Sequence, residues 1–132
     1  MVNIVNGNIL NCKEDIIVHQ VNVQGIMGGG VARQLADRYK DLEKDYYQVC
    51  KEDKFDYEEL KGLAYIPQYN DKHIANIFSQ KPNFDTDYEM MERALNWVKR
   101  KAIDFKLSVA IPYGIGCGIA NGDWNIVYKI IE

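Results

Sequence analysis

Residues 17–35 read IVHQVNVQGIMGGGVARQL, and the order of residue types in that stretch decides the architecture. Asp15 to Val21 is a β-branched apolar run of the kind that forms a strand buried on both faces. It closes in Asn22-Val23-Gln24-Gly25, and the triplet Gly28-Gly29-Gly30 follows. Val31-Ala32, Leu35-Ala36 and Tyr39 then recur at helical spacing, so a glycine loop opens a helix. The same grammar returns near the other end of the chain. Leu107 to Ile111 is a compact apolar strand stopped by Pro112, residues 113–119 (YGIGCGI) form a second glycine loop, and Gly122-Asp123-Trp124 leads into a last helix through Ile126-Val127 and Ile130-Ile131.

Between the two units the pattern is less regular. Residues 37–61 hold nine acids and six bases, and with Leu42, Tyr46, Tyr47 and Cys50 on one side they read as one solvated helix with a frayed end. Residues 62–69 and 73–78 are two strand candidates joined at Asn70-Asp71, the first limited by Pro67. From Thr86 onward Met90-Met91, Ala94-Leu95, Val98, Ala102 and Phe105 mark the inward face of a helix capped by Asp85, Thr86 or Asp87. Val2 to Val5 reads as a short extended segment. The resulting order predicts an α/β fold: a three-layer α/β/α sandwich around a mixed, mostly parallel central sheet. The sheet is one strand short unless the last helix closes the fold itself.

A chain of 132 residues that is 47% hydrophobic and 27% charged has the size and composition of one globular domain, and residues 1–132 are read as such. The net charge of −3 speaks against general nucleic-acid binding. Cys12, Cys50 and Cys117 are too few for a disulfide framework, and with His19 and His73 alone no metal site is expected. No run approaches the roughly 20 apolar residues of a membrane span, and the N-terminus lacks a secretory pattern, so a cytoplasmic protein is expected.

Each glycine loop follows a buried strand and precedes a helix. That arrangement brings backbone N–H groups and the positive end of a helix dipole to the carboxyl edge of the sheet, where an anion can approach closely. Two such loops suit a diphosphate gripped from opposite sides. Neither G-x-G-x-x-G nor a P-loop nor G-x-S-x-G is present. Asn22, beside the first loop, is placed to hold a ribose hydroxyl. His19 either relays a proton or is a satisfied core group. Asp123 either caps the last helix or activates water. Cys117, at a helix start, is read as a small thiol beside the phosphate rather than a nucleophile.

Taken together, Gly7-Asn8-Ile9, residues 17–35 and the stretch IPYGIGCGIANGDW at 111–124 resemble the macrodomain family along essentially the whole chain. The likeness is strongest to small stand-alone members from phages and bacteria. The resemblance implies an ADP-ribose cleft lined by Asn8, Ile9, Asn22, Gly28, Gly29, Gly30 and Val31. From the facing loop it implies Ile115, Gly116, Cys117, Gly118 and Ile119; Phe78 is expected to line the adenine end in place of the family's stacking aromatic, and no cofactor is expected. Three departures stand out. Asn8 replaces the usual aspartate. Ser79 and Ala120 occupy the places where related glutamate-deADP-ribosylating enzymes carry lysine and aspartate. The final strand and an adenine-stacking aromatic would lie past Glu132.

The function expected first is hydrolysis of ADP-ribose 1''-phosphate to ADP-ribose and phosphate, with Asn22 fixing the ribose and His19 or Asp123 accepting the proton. The alternatives are removal of ADP-ribose from a modified macromolecule, and a non-catalytic ADP-ribose-binding module. No membrane partner is expected.

Overall fold

The computed structural model describes residues 2–117, 120 and 122–132. Strand β1 (Ile16–Val21) runs straight into the first glycine loop, and helix α1 (Gly30–Arg38) follows. The charged region forms two helices, α2 (Leu42–Glu52) and α3 (Tyr57–Leu60), rather than one. The break falls at Lys54 and Phe55, both in the left-handed region with φ of 56°, a conformation that a continuous helix cannot contain. Strands β2 (Ala64–Tyr65) and β3 (Gln68–Tyr69) flank Pro67, which divides the first strand candidate. Strand β4 (Lys72–Phe78), helix α4 (Tyr88–Phe105), strand β5 (Val109–Ala110) and helix α5 (Trp124–Ile131) complete the order.

The sheet runs β2-β4-β1-β5, with β3 also paired to β4. The pairs β1–β4 and β1–β5 are parallel, whereas β2 and β3 lie antiparallel to β4. Val2 to Val5 joins no strand, and Ile4 and Val5 are largely exposed.

Alternation along β1 divides the core in two, because successive side chains leave opposite faces of the sheet. Ile17 and Val21, with Ile74 and Phe78 of β4, pack against Leu35, Leu42, Tyr46, Cys50 and Leu60 from α1–α3. Ile16 and Val18, with Ala75 and Ile77, pack against Met91, Ala94, Val98 and Val127 from α4 and α5. The molecule is therefore a three-layer α/β/α sandwich around a mixed sheet that is not closed on itself. Both glycine loops leave the carboxyl ends of parallel strands and emerge at one edge.

Candidate functional site

The first loop is held from the side and left open above. Glu43, in the first turn of α2, accepts the Met27 N–H at 2.7 Å and pairs with Arg33 at 3.4 Å. Gly29 is the N-cap of α1, no side chain caps the helix there, and its first turn holds no acidic residue. The leading amides of α1 are thus unfilled donors at the positive end of the helix dipole. A Cβ added at Gly29 or Gly30 would meet nothing within 4 Å, so the backbone faces open space.

The second loop is braced by the structure beneath it. Thr86 Oγ1 donates to the Gly116 carbonyl at 2.7 Å and accepts from Gln20 Nε2 at 3.3 Å, while Gln20 Oε1 accepts from Ser79 Oγ at 2.7 Å. Gly122 N–H donates to the Gly116 carbonyl at 2.7 Å. A side chain at Gly122 would stand 2.3 Å from that carbonyl oxygen, so the close approach demands glycine. A polar chain from β1 through Ser79 and Thr86 thereby fixes the second glycine loop.

Asn22 is held by several hydrogen bonds at this edge. Its Oδ1 accepts from Gln24 N–H at 2.9 Å and lies 3.0 Å from the Tyr46 hydroxyl, which also contacts the Asn22 carbonyl. Its Nδ2 donates to Gln80 Oε1 at 3.3 Å, and Gln80 Nε2 donates to the Phe84 carbonyl at 2.8 Å. The single Tyr46 hydroxyl hydrogen is shared between the two Asn22 oxygens, and one Nδ2 hydrogen of Asn22 remains to donate. Burial holds the Tyr46 phenol protonated, far above its ordinary range. Tyr46 and Gln80 were not singled out by the sequence, since they lie 24 and 58 residues from Asn22. An open cleft of about 490 Å³ adjoins Asn22, lined also by Val23, Gln24, Phe55 and Pro82.

Other expected residues are placed differently. His19 sits in the core, with Nε2 2.6 Å from Asn76 Oδ1 across the β1–β4 register. Burial lowers its pKa to about 4, a shift that the Asn76 bond only partly opposes. The ring lies in the core at 2% exposure, and its Nδ1 is buried without a hydrogen-bond partner among the described residues, so it is not a fully satisfied core group. Phe78 is also fully buried and packs on Tyr46 with ring centroids 6.0 Å apart. This corrects its expected place at the adenine end: alternation in β4 turns Phe78 onto the apolar face beneath α1 and α2. Asp123 is exposed and caps α5 by accepting Asn125 N–H at 2.9 Å, which accounts for the capping half of its expected role.

Asn8 caps a single 3-10 turn at Ile9–Asn11 by accepting Leu10 N–H at 3.0 Å. Arg38 donates to the Leu10 carbonyl at 3.1 Å, which ties that turn to the end of α1 opposite Gly29. Ile9 packs partly into the core. Ile115 is buried. The Cys117 thiol donates to the Ile115 carbonyl at 3.4 Å, and burial, then the nearby Asp123 charge, pushes its pKa up. That is the opposite of an activated thiolate. Gly118 and Ile119 lie outside the described residues. Ser79 and Ala120 are buried, and Lys81 is exposed on the following loop. Among the described residues no group of three His, Cys, Asp or Glu side chains could hold a metal ion, and no helix is long and apolar enough to cross a membrane.

Comparison with known proteins assigns this three-layer sandwich, with its two glycine loops at the carboxyl edge, to the macrodomain fold. The macrodomain of Mycobacterium tuberculosis DarG superposes with a TM-score of 0.85 at 25% identity, over 99% of this chain and 87% of that one. The chain has a macrodomain fold related to the bacterial ADP-ribose-processing macrodomains. Among curated proteins, the Saccharomyces cerevisiae ADP-ribose 1''-phosphate phosphatase is 40% identical over 72 residues, which is 53% of this chain and 40% of the yeast protein. The Thermus aquaticus DNA ADP-ribosyl glycohydrolase is 25% identical over 134 aligned residues, covering 100% of this chain and 37% of that protein. The chain thus spans about two fifths of the length of the curated relatives it matches. No protein-family model matches it.

Proposed function

We propose that this macrodomain binds ADP-ribose and hydrolyses its bond to a modified macromolecule. The observation that carries this reading is the cleft of about 490 Å³ beside Asn22. It is roomy enough for a bulky leaving group, since ligand sites commonly run to about 300–1,000 Å³. The relatives aligned with most or all of the chain, at 25–26% identity, are DNA ADP-ribosyl glycohydrolases by name, which supports the same choice.

In this reading the amides that open α1 and the braced 113–117 loop hold the diphosphate, and Asn22 donates from Nδ2 to a hydroxyl of the distal ribose. Water adds to the anomeric carbon of that ribose, the bond to the macromolecule breaks, and the water's proton ends on the departing atom. Ser79 and Ala120 supply neither the lysine nor the carboxylate of the related glutamate-specific enzymes. Acceleration therefore rests on positioning and on dipoles fixed before the substrate arrives.

A second reading, release of phosphate from ADP-ribose 1''-phosphate, is favoured by the 40% identity to the yeast phosphatase. Calorimetric titration with ADP-ribose, with AMP and NAD as controls, tests the ligand common to both. Parallel assays of phosphate release and of ADP-ribose release from a modified oligonucleotide or protein then separate them. Release from the macromolecule is expected to be the faster, and dominant phosphate release would transfer the assignment to the second reading.

A further inference from the structure

The sheet ends at β2 with part of its backbone unused. The residues on either side of Ala64 both turn toward β4: the Leu63 carbonyl accepts Phe78 N–H at 3.0 Å, and the Tyr65 carbonyl accepts Asn76 Nδ2 at 3.0 Å. Ala64 stands opposite Ile77 in the antiparallel register, as the member of a pair that exchanges no bonds, so its own N–H and C=O point away from β4. Among the described residues no strand lies beyond β2. Pro67, which has no N–H, ends this edge after Ile66. What is left is a short stretch of edge able to exchange two main-chain hydrogen bonds with one residue of an added strand.

The space beside that edge is apolar and its rim is basic. A groove of about 340 Å³ lies between β2 and α4, lined by Leu63, Ala64, Ile66, Trp97 and Lys101. Trp97 is 50% exposed, and Arg100 stands 5.7 Å from the centre of its ring. From Arg93 to Lys106 the chain carries five cations against one acid, Asp104, although the whole chain has a net charge of −3. Among the described residues none of those five cations forms a salt bridge. Ala64 and Ile66 pack on the α4 side of the sheet and Tyr65 on the other. Residues paired across strands send their side chains to the same face, so a residue added opposite Ala64 would place its side chain in the groove. Residues two positions away on that strand would lie on the same face, beside the cations. We propose that β2 and α4 form a docking groove for an extended acidic peptide segment of a partner protein. Its main chain pairs with Ala64, one apolar side chain packs on Trp97, and flanking carboxylates meet Arg100 and Lys101. A second copy of this chain fits less well, because symmetric edge pairing would bring two basic helices together. Nucleic acid also fits less well, since apart from Lys101 the walls offer no polar side chain to the edge of a base. The groove shares no lining residue with the cleft beside Asn22, so the proposal stands apart from the reading of that site.

The probe is an end-blocked, fluorophore-labelled peptide, Ser-Glu-Thr-Leu-Thr-Glu-Ser, whose central leucine has a glutamate two positions to either side. Titrated against the intact chain by anisotropy, it is expected to bind saturably and more weakly as salt rises. Trp97→Ala should weaken binding about tenfold, as loss of an aromatic anchor does, and Lys101→Gln severalfold, while ADP-ribose affinity stays within about twofold in both. A second peptide, N-methylated at the leucine, keeps every side chain and lacks the N–H that would donate to the Ala64 carbonyl. It should bind about tenfold more weakly to the unaltered protein, a loss of about 1.4 kcal/mol. Hydrogen exchange at the Ala64 amide should slow when the unmethylated peptide is bound. Absence of binding, equal binding of the two peptides, or unchanged exchange at Ala64 would overturn the proposal. So would tighter binding of an oligothymidylate than of the peptide, which would give the groove to nucleic acid. Self-association of the unaltered chain in sedimentation, abolished by Trp97→Ala, would give it to a second copy instead.

Discussion

An alanine Cβ at Gly29 would meet nothing within 4 Å, whereas at Gly116 it would stand 2.8 Å from Thr86 Oγ1 and 3.0 Å from Met91 Cε. Gly116 also has φ of 74°, so a side chain there is strained even before it clashes. The two glycines therefore answer to different demands. Gly116→Ala is expected to destabilise the fold by about 2 kcal/mol, read as a lower urea midpoint. Gly29→Ala should leave stability within about 0.5 kcal/mol but weaken ADP-ribose binding about tenfold, a 1.4 kcal/mol effect, because its methyl group enters the space an anion would occupy. Equal loss of stability in both variants would remove the argument that the first loop is open for a ligand. Asn22 shows a similar economy at this scale: neighbours engage its oxygen and one of its N–H bonds, which leaves a single donor aimed by the fold.

At the scale of the element, α1 and α5 begin in contrasting ways. The α1 start has a glycine N-cap and open amides, while the α5 start is closed by Asp123. A capping carboxylate and a catalytic base respond differently to the same pair of substitutions. Asp123→Ala is expected to cost about 1 kcal/mol of stability. Asp123→Asn keeps an oxygen that can cap, and should retain both stability and turnover, measured by thermal melting and the release assay. A loss of more than a hundredfold in turnover for Asp123→Asn, with the melting temperature unchanged, would return the general-base role to this residue. The split of the acidic region into α2 and α3 belongs to the same scale, since the break at Lys54 and Phe55 brings an aromatic ring to the cleft.

For the whole molecule, the deepest polar liability is the His19–Asn76 pair between the central strands. The folded pKa of His19 is about 4, against about 6.5 in an unfolded chain. Below pH 6.5 the unfolded state takes up a proton that the folded state refuses, so stability is full above that pH. It is lost as pH falls from 6.5 towards 4, by up to about 3 kcal/mol. His73, whose pKa burial also lowers, acts in the same direction. Urea unfolding at pH 7.5 and pH 5 should therefore show a large loss for the unaltered chain and a smaller one for His19→Gln. Identical losses in the two proteins would place the acid sensitivity elsewhere.

The sequence by itself determined the layer architecture. Apolar runs at 16–21 and 107–111, each followed by a glycine loop and a helix, can bury their faces only in a covered, largely parallel sheet. It also marked Asn22 and both loops from glycine clusters beside apolar runs, although the second run, expected as a buried strand over 107–111, forms only Val109–Ala110, half-buried at the end of the sheet. Only the tertiary structure decided which polar residues reach the site. His19 and Gln20 are adjacent in sequence, yet alternation sends one to Asn76 in the core and the other to Ser79 and Thr86 beneath the second loop. Phe78 ends a strand in the right region but points into the apolar layer, while Phe55, in a segment read as a solvated helix, lines the cleft. A residue's type and spacing restrict the faces it can occupy, and the packing of distant elements selects one of them.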